Sequence, residues 1–419
     1  MIIEPARRTL SVQEYYFSIK NKEIARLNRE RAAAGKDPVV NLGIGSPDGA
    51  PSAEAVEALS ACARRPGTHG YQSYTGIPEL REAIARWYAR WYGVTLDPDA
   101  EIQPLMGSKE GILLLSLAFL NPGDKVLVPN PGYPTYTSAT RMCEAEVLNY
   151  DLVAADGWYP DFDALDAMDL SGVKLMWVNY PNMPTGAPAR RDVMEKLVAF
   201  AKQHRILLVN DNPYGFILNE PQSILSVPGA REVCLEMNSL SKSHNMAGWR
   251  VGMMVGSADI LRELLKVKSQ MDSGMFRGIQ EAAVAALDAG PEWYSALNAE
   301  YRRRREVACR IMDLLGCTYD SAAGGLYVWG RVSATEGEGA LPVADLKADA
   351  PERTPSPSVA EVLSDRILYG AGVFLTPGFI FGSNGVGYLR ISLCADVPTL
   401  ERAYGKILHF VQNDKLRSE

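Results

Sequence analysis

The feature that most restricts the fold of this chain is a repeated pairing. A short apolar run stops abruptly at proline or a polar cluster, and an amphipathic segment follows. Lys125-Val126-Leu127-Val128 runs into Pro129-Asn130-Pro131-Gly132-Tyr133, Lys174-Leu175-Met176-Trp177-Val178 into Asn179-Tyr180-Pro181, and Arg205-Ile206-Leu207-Leu208-Val209 into Asn210-Asp211-Asn212-Pro213-Tyr214. Such runs read as buried strands. Between the last two, Val193, Leu197, Phe200, Ala201 and His204 fall on one helical face, the spacing of a crossover helix. The pattern predicts an α/β fold, a sheet with helical crossovers. Ligands of these sheets sit beyond the carboxyl ends of the strands, so residues 130–133, 179–186 and 210–214 are nominated as site-forming.

Length and charge narrow the class. The 419 residues suggest two or three domains, with enough chain to bury a core without disulfide or metal staples. The formal charge is −7, and the longest basic run is Arg302-Arg303-Arg304-Arg305. Neither nucleic acid nor an anionic membrane is therefore an expected partner. Six cysteines (Cys62, Cys143, Cys234, Cys309, Cys317, Cys394) lie far apart without a CxxC pair, which fits free thiols in a reducing, cytoplasmic compartment. Four histidines, none in an HExxH pattern or beside a cysteine cluster, argue against a His-built metal site. The first residues hold no signal-peptide core. The apolar run Ile112 to Leu120 is about half the roughly 20 residues a spanning helix needs, and reads as a buried helix. No GxGxxG follows the first strand, which disfavours a dinucleotide-binding protein.

Farther along, Val233, Leu235 and Met237 alternate with polar residues and feed a polar loop from Asn238 to Arg250. Beyond about residue 290 a long charged helix is expected from Pro291 to Leu315. An insertion from Ser333 to Ser358 follows, rich in Gly, Pro and Ala, and reads as a surface loop or disordered segment.

Three short segments carry chemistry. Lys242 sits in the polar loop with Ser239, Ser241, His244 and Arg250; a lysine amine freed by neighbouring cations can form a Schiff base with an aldehyde. Gly107-Ser108-Lys109 opens the buried helix, where backbone N–H groups would face an anion such as phosphate. Asp211 ends a buried strand, where a carboxylate needs a positive partner such as a protonated pyridine nitrogen. Each has an ordinary reading too: a solvated loop lysine, a Ser N-cap, and the turn chemistry of Asn210-Asp211-Asn212-Pro213.

Taken in order, the set resembles the class I/II aminotransferases of pyridoxal-phosphate fold type I, over nearly the whole chain. Asp211 and Tyr214 match the D-x-x-Y strand end, and Ser239, Ser241, Lys242 and Arg250 match S-x-S-K-x(7)-R. The resemblance implies a large domain, residues 50–290, with a mostly parallel seven-stranded sheet between helices. It also implies a smaller α+β domain made of residues 1–49 and 291–419. The implied cofactor is pyridoxal 5′-phosphate, with Lys242 as Schiff-base lysine and proton shuttle, Asp211 on the ring nitrogen and Tyr214 on the phenolic oxygen. Gly107, Ser108, Lys109, Ser239, Ser241 and Arg250 would form the phosphate site, and Tyr133 the ring stacked on the cofactor. Tyr74, in Gln72-Ser73-Tyr74-Thr75-Gly76, would reach the phosphate of the other subunit, which implies a homodimer. Gly45 and Arg390 would grip the substrate α-carboxylate.

One position departs from the family. Pro181-Asn182-Met183-Pro184-Thr185-Gly186 stands where Pro-Asn-Asn-Pro-Thr-Gly is common, so a thioether replaces the amide that usually bonds the phenolic oxygen. Asn182, by a shift in the turn, or Tyr214 with a water would have to supply that bond. The implied reaction moves an amino group between an L-α-amino acid and a 2-oxo acid in a ping-pong cycle. Segments 107–111 and 272–277 resemble the alanine and LL-diaminopimelate aminotransferase subgroup. There Arg277 would serve a second carboxylate, the neighbour's phosphate or only solvent, and Tyr15 and Tyr16 would cover the site or pack the domains. The alternatives on the same scaffold are a carbon–sulfur β-lyase and a non-catalytic cofactor-binding regulator.

Overall fold

The computed structural model describes residues 2–333 and 357–418, with side chains to 413; nearly all of the insertion expected from Ser333 to Ser358 lies outside the described residues. Among the described residues thirteen strands are present: β1 (Val40–Asn41), β2 (Ile102–Leu105), β3 (Lys125–Asn130), β4 (Glu146–Asp151), β5 (Val173–Val178), β6 (Leu207–Asp211), β7 (Cys234–Ser239), β8 (Gly252–Gly256), β9 (Cys317–Tyr319), β10 (Tyr327–Val332), β11 (Val373–Phe374), β12 (Thr376–Pro377) and β13 (Tyr388–Ser392).

Seven of them form one sheet in the order β2-β8-β7-β6-β5-β3-β4. β4, β3, β5, β6 and β7 pair in parallel, while β8 runs antiparallel to both neighbours. The sheet is covered on both sides because successive residues of its strands enter two separate apolar clusters. Leu127, Met176 and Leu208 belong to one cluster, and Val126, Val128, Leu175, Trp177 and Val209 to the other. Two-sided burial is why these strands read as continuous apolar runs.

The crossover helix spans Arg191–His204 and buries Val193, Leu197, Phe200 and Ala201. The apolar run after Lys109 is the helix Ser108–Phe119, and the long charged helix is Pro291–Leu314. Polar residues of β7 are buried rather than facing water. Glu236 is fully covered, and its carboxylate accepts from Tyr88 Oη at 3.1 Å, Asn210 Nδ2 at 3.0 Å and Ile224 N at 3.0 Å. The segment expected to be a polar loop contains a helical turn, Leu240–Ser243, and a 3-10 turn, Ala247–Trp249.

A four-stranded sheet, β12-β13-β10-β9, lies in the C-terminal part. The N-terminal segment is tied to this part of the chain by the parallel pair β1 and β11, a two-stranded sheet of its own, and by Ser392 N of β13 donating to Leu42 O at 2.8 Å. Among the described residues no helix is long and apolar enough to cross a membrane.

Candidate active site

The carboxyl ends of β3, β5, β6 and β7 point to one edge of the large sheet. There they meet the start of the helix Ser108–Phe119 and the segment 43–46. A cavity of about 330 Å³ opens at this edge; its walls include Gly45, Ser108, Lys109, Tyr133, Asp211, Tyr214, Ser239, Ser241, Lys242, Arg250 and Arg390. The topology thus gathers residues as far apart in sequence as Tyr15 and Arg390, as expected for ligand sites of such sheets.

Asp211 is the last residue of β6 and is 4% exposed. Its Oδ2 accepts from Tyr136 Oη at 2.8 Å, while Oδ1 is buried with no hydrogen-bond partner among the described residues. Burial raises its carboxyl to about pH 6, opposed by the Tyr136 hydroxyl and the charge of Lys242. A buried acceptor without a donor is costly, so the position calls for a cationic or N–H partner. A protonated pyridine nitrogen meets that requirement.

The cup at the helix start also fits a phosphate. Gly107 precedes the helix at φ 84°, a left-handed conformation that glycine adopts without steric cost. It is the residue before Ser108, so Ser108 is the first helical residue and not the N-cap. A Cβ at Gly107 would lie 2.1 Å from Arg250 Nη2, which places that guanidinium directly against the cup. Arg250 itself adopts φ 58° and is held by Nη1 donating to Ala247 O at 2.8 Å. Ser239 Oγ lies 2.8 Å from Ser241 Oγ and accepts from Ser241 N at 3.0 Å. Lys109 has its pKa lowered by burial and by Arg250 beside it, and its Nζ sits 4.6 Å from the Tyr15 ring centre. Hydroxyls, helix N–H groups and cations that line one cavity suit an anion.

Lys242 is half-buried, and its ammonium donates to Gly45 O. Gly45 approaches the wall so closely that a Cβ there would lie 2.2 Å from Tyr327 Oη. Arg390 is 3% exposed. Its guanidinium carbon is 4.0 Å from the Tyr327 ring centre, 4.7 Å from Phe381 and 5.5 Å from Phe17, and Nη2 donates to Gly43 O at 3.0 Å. Its Nε is buried and unpartnered among the described residues, one donor in reserve. Tyr214 is buried and its hydroxyl pKa is raised well above the usual range by burial and by Tyr327, with ring centres 5.9 Å apart, so it stays a donor at neutral pH.

Three of the residues to which the resemblance gave a cofactor role do not line the cavity. Gly107 stands just behind its wall. Tyr74 is exposed on the surface of its own chain. Asn182 is spent on its own turn: Oδ1 accepts from Thr185 Oγ1 at 2.8 Å, and Nδ2 donates to Asn179 O at 3.2 Å. The cavity wall is made instead by Met183 and by Asn179, whose Oδ1 accepts from Met183 N at 2.7 Å. Tyr15 lines the cavity, whereas Tyr16 packs edge-on against Phe17 and Phe379. Arg277 starts the helix Arg277–Leu287 and pairs with Glu281 at 2.7 Å. Sequence reasoning missed Phe17, Asn21, Tyr136, Tyr327 and Phe381. None of these five stood in a nominated strand end, whereas Asn179 and Met183 did, within 179–186.

The chain belongs to the class I and II aminotransferase family, whose model matches residues 37–407. It is accordingly an enzyme that transfers amino groups with pyridoxal phosphate as cofactor. It is 39% identical over 406 residues to an LL-diaminopimelate aminotransferase of Nitratidesulfovibrio vulgaris, covering 96% of this chain and 98% of the relative. It is 37% identical over 408 residues to one of Dehalococcoides mccartyi, covering 97% and 98%. Among solved structures, substrate-bound BacF of Bacillus subtilis superposes with a TM-score of 0.84 at 35% identity over 98% of each chain.

Proposed function

We propose that the amino donor is an L-α-amino acid that carries a second carboxylate, of the LL-diaminopimelate class, and that the reaction runs in the cavity described above. The substrate class rests on the full-length likeness to LL-diaminopimelate aminotransferases at 36–39% identity. The residue roles rest on one observation, the unpartnered Oδ1 of buried Asp211 in the same cavity as Lys242, Arg250 and Arg390.

In this reading Ser108, Ser239, Ser241 and Arg250, with helix N–H groups at Ser108 and Lys109, hold the cofactor phosphate. Asp211 holds the ring nitrogen in its protonated form, Tyr214 donates to the phenolic oxygen, and Tyr133 packs on the ring face. Bound pyridoxal phosphate supplies an aldehyde carbon for the amino group and a ring that accepts the electrons of the broken Cα–H bond. Arg390 orients the substrate by its α-carboxylate, aided by the Gly45 N–H. The Lys242 amine takes the proton from Cα and returns it at the cofactor's C4′ carbon, so one base serves both positions. The Lys109 ammonium, at the wall beside Tyr15, is placed for the distal anion.

The homodimer is part of the same proposal. Tyr71, Tyr74, Met106, Met271 and Phe276 are exposed apolar side chains. Phe276 stacks on His69 with ring centres 6.1 Å apart, which sets it beside the segment that carries Tyr71 and Tyr74. A patch of this kind marks a protein interface. The two-domain division is supported by the separate sheets and by the β1–β11 pairing. A cytoplasmic location is supported by six cysteines that are all free.

The test is a donor screen on the loaded enzyme. LL-diaminopimelate is expected to convert the visible cofactor band to the amine form and to be turned over with 2-oxoglutarate. Lys242→Ala should lose the wild-type visible band and reduce turnover by roughly 10³-fold or more. No conversion with LL-diaminopimelate sinks the substrate assignment. Pyruvate released from cystathionine without a 2-oxo acid would point to β-lyase chemistry.

A further inference from the structure

Tyr136 lies outside every motif, yet it is the sole side-chain donor to the Asp211 carboxylate among the described residues. It sits in the helix Pro134–Met142, fully buried. Its ring is stacked on that of Trp177, with centres 5.0 Å apart and planes 5° from parallel. Tyr133 meets it edge-on at 5.6 Å and 86°. Two aromatic neighbours therefore fix the ring plane, and its single hydroxyl proton is directed at Asp211 Oδ2, 2.8 Å away. The Asp211 main chain is pinned as well, because Asn179 Nδ2 donates to Asp211 O.

We propose that Tyr136 is a positioning residue for transamination: by clamping Oδ2 of Asp211 it presents Oδ1 alone to the cofactor's ring nitrogen and keeps the carboxylate charged there. This rests on the reading of Asp211 as the ring-nitrogen partner. A carboxylate with two free oxygens in a dry site can rotate and share the proton of its partner. One whose far oxygen already accepts a hydrogen bond is fixed in plane and is a weaker base. The ring nitrogen then keeps its proton, which is the condition for the ring to accept electrons.

The test uses the full chain loaded with pyridoxal phosphate carrying nitrogen-15 in the ring. The nitrogen chemical shift reports whether that atom is protonated. Wild type is expected to give the protonated signal. Tyr136→Phe keeps the stack on Trp177 and deletes the donor. Its signal should move towards the unprotonated value, and kcat should fall about tenfold with KM little changed. Tyr136→His, which can restore a ring N–H donor, should bring both back part of the way, and it serves as the measurement if the Phe variant does not fold. An unmoved signal and unchanged kcat in Tyr136→Phe overturn the proposal and leave Tyr136 as packing. Asp211→Asn separates this failure from that of the underlying reading. Its signal should move fully to the unprotonated value whatever Tyr136 does, and a signal that stays put refutes the role of Asp211 itself.

Discussion

The sulfur of Met183 lies 3.5 Å from Nη1 of Arg390. A thioether is a weak acceptor and no donor, so the guanidinium faces a soft apolar wall where an amide could have bonded both substrate and cofactor. Met183 is also 4% exposed and packed in the apolar cluster with Tyr214, Tyr327 and Leu375.

Met183→Asn is therefore expected to separate two effects. An amide donor beside the phenolic oxygen stabilises its anionic form, so the pH midpoint of the visible cofactor band should fall by about one unit. Lost packing should lower stability by about 1–3 kcal/mol. Absorbance titration checks the first and thermal melting the second; an unchanged midpoint would place the phenolic oxygen beyond reach of position 183.

Asp211 predicts a pH dependence of the protein without cofactor. Its carboxyl is raised to about 6 in the folded chain, against roughly 3.9 when unfolded. Between those values the native state holds a proton that the unfolded state has lost, so stability falls as pH rises from about 4 to 6. Above that it remains lower by about 3 kcal/mol. Urea unfolding from pH 4 to 8 should show this decline in wild type and its loss in Asp211→Asn. Cofactor binding should offset it, because the ring cation pairs with the charged carboxylate.

Arg390 should be intolerant even of lysine. Its flat guanidinium is enclosed by Tyr327, Phe381 and Phe17, with one buried donor in reserve. An ammonium cannot fill that slot or bind a carboxylate in two-point fashion. Steady-state kinetics of Arg390→Lys should show kcat/KM for the amino donor reduced about 100-fold, mainly through KM, with the visible band retained.

Tyr74 tests the shared site. The side chain is exposed in its own chain and absent from its own cavity wall. Tyr74→Phe should weaken pyridoxal phosphate binding about tenfold without changing the mass of the proposed dimer in light scattering. Hybrids carrying Tyr74→Phe on one subunit and Lys242→Ala on the other should show which subunit's cofactor Tyr74 serves. A monomeric protein with full activity would remove the basis for this prediction.

Much of the architecture was legible because two-sided burial leaves a mark in the chain. Apolar runs such as Val126-Leu127-Val128 and Leu207-Leu208-Val209 are covered on both faces, and the 3.6-residue repeat of Val193, Leu197, Phe200 and Ala201 gave the intervening helix. Asp211 could be nominated because it ends a buried strand at the sheet edge, whereas the roles of Lys242, Arg250 and Arg390 came from the resemblance to a known family. Local hydrogen bonding is harder to read. Asn182 carries the polar amide that the cofactor's oxygen would want, but Thr185 and Asn179 in its own turn claim it first.

What the sequence by itself determined was the class of fold, the edge of the sheet that carries the chemistry and the residue types gathered there. The first two follow from short-range periodicity and from where buried strands must stop; the third followed from the resemblance of the ordered motifs to a known family. Only the tertiary structure decided which oxygen of Asp211 is free, which ring clamps the other, and that Met183 rather than Asn182 faces Arg390. Those facts depend on side chains from separate elements meeting in one buried volume, where an unpaired polar atom is costly and a well-placed donor decides its charge.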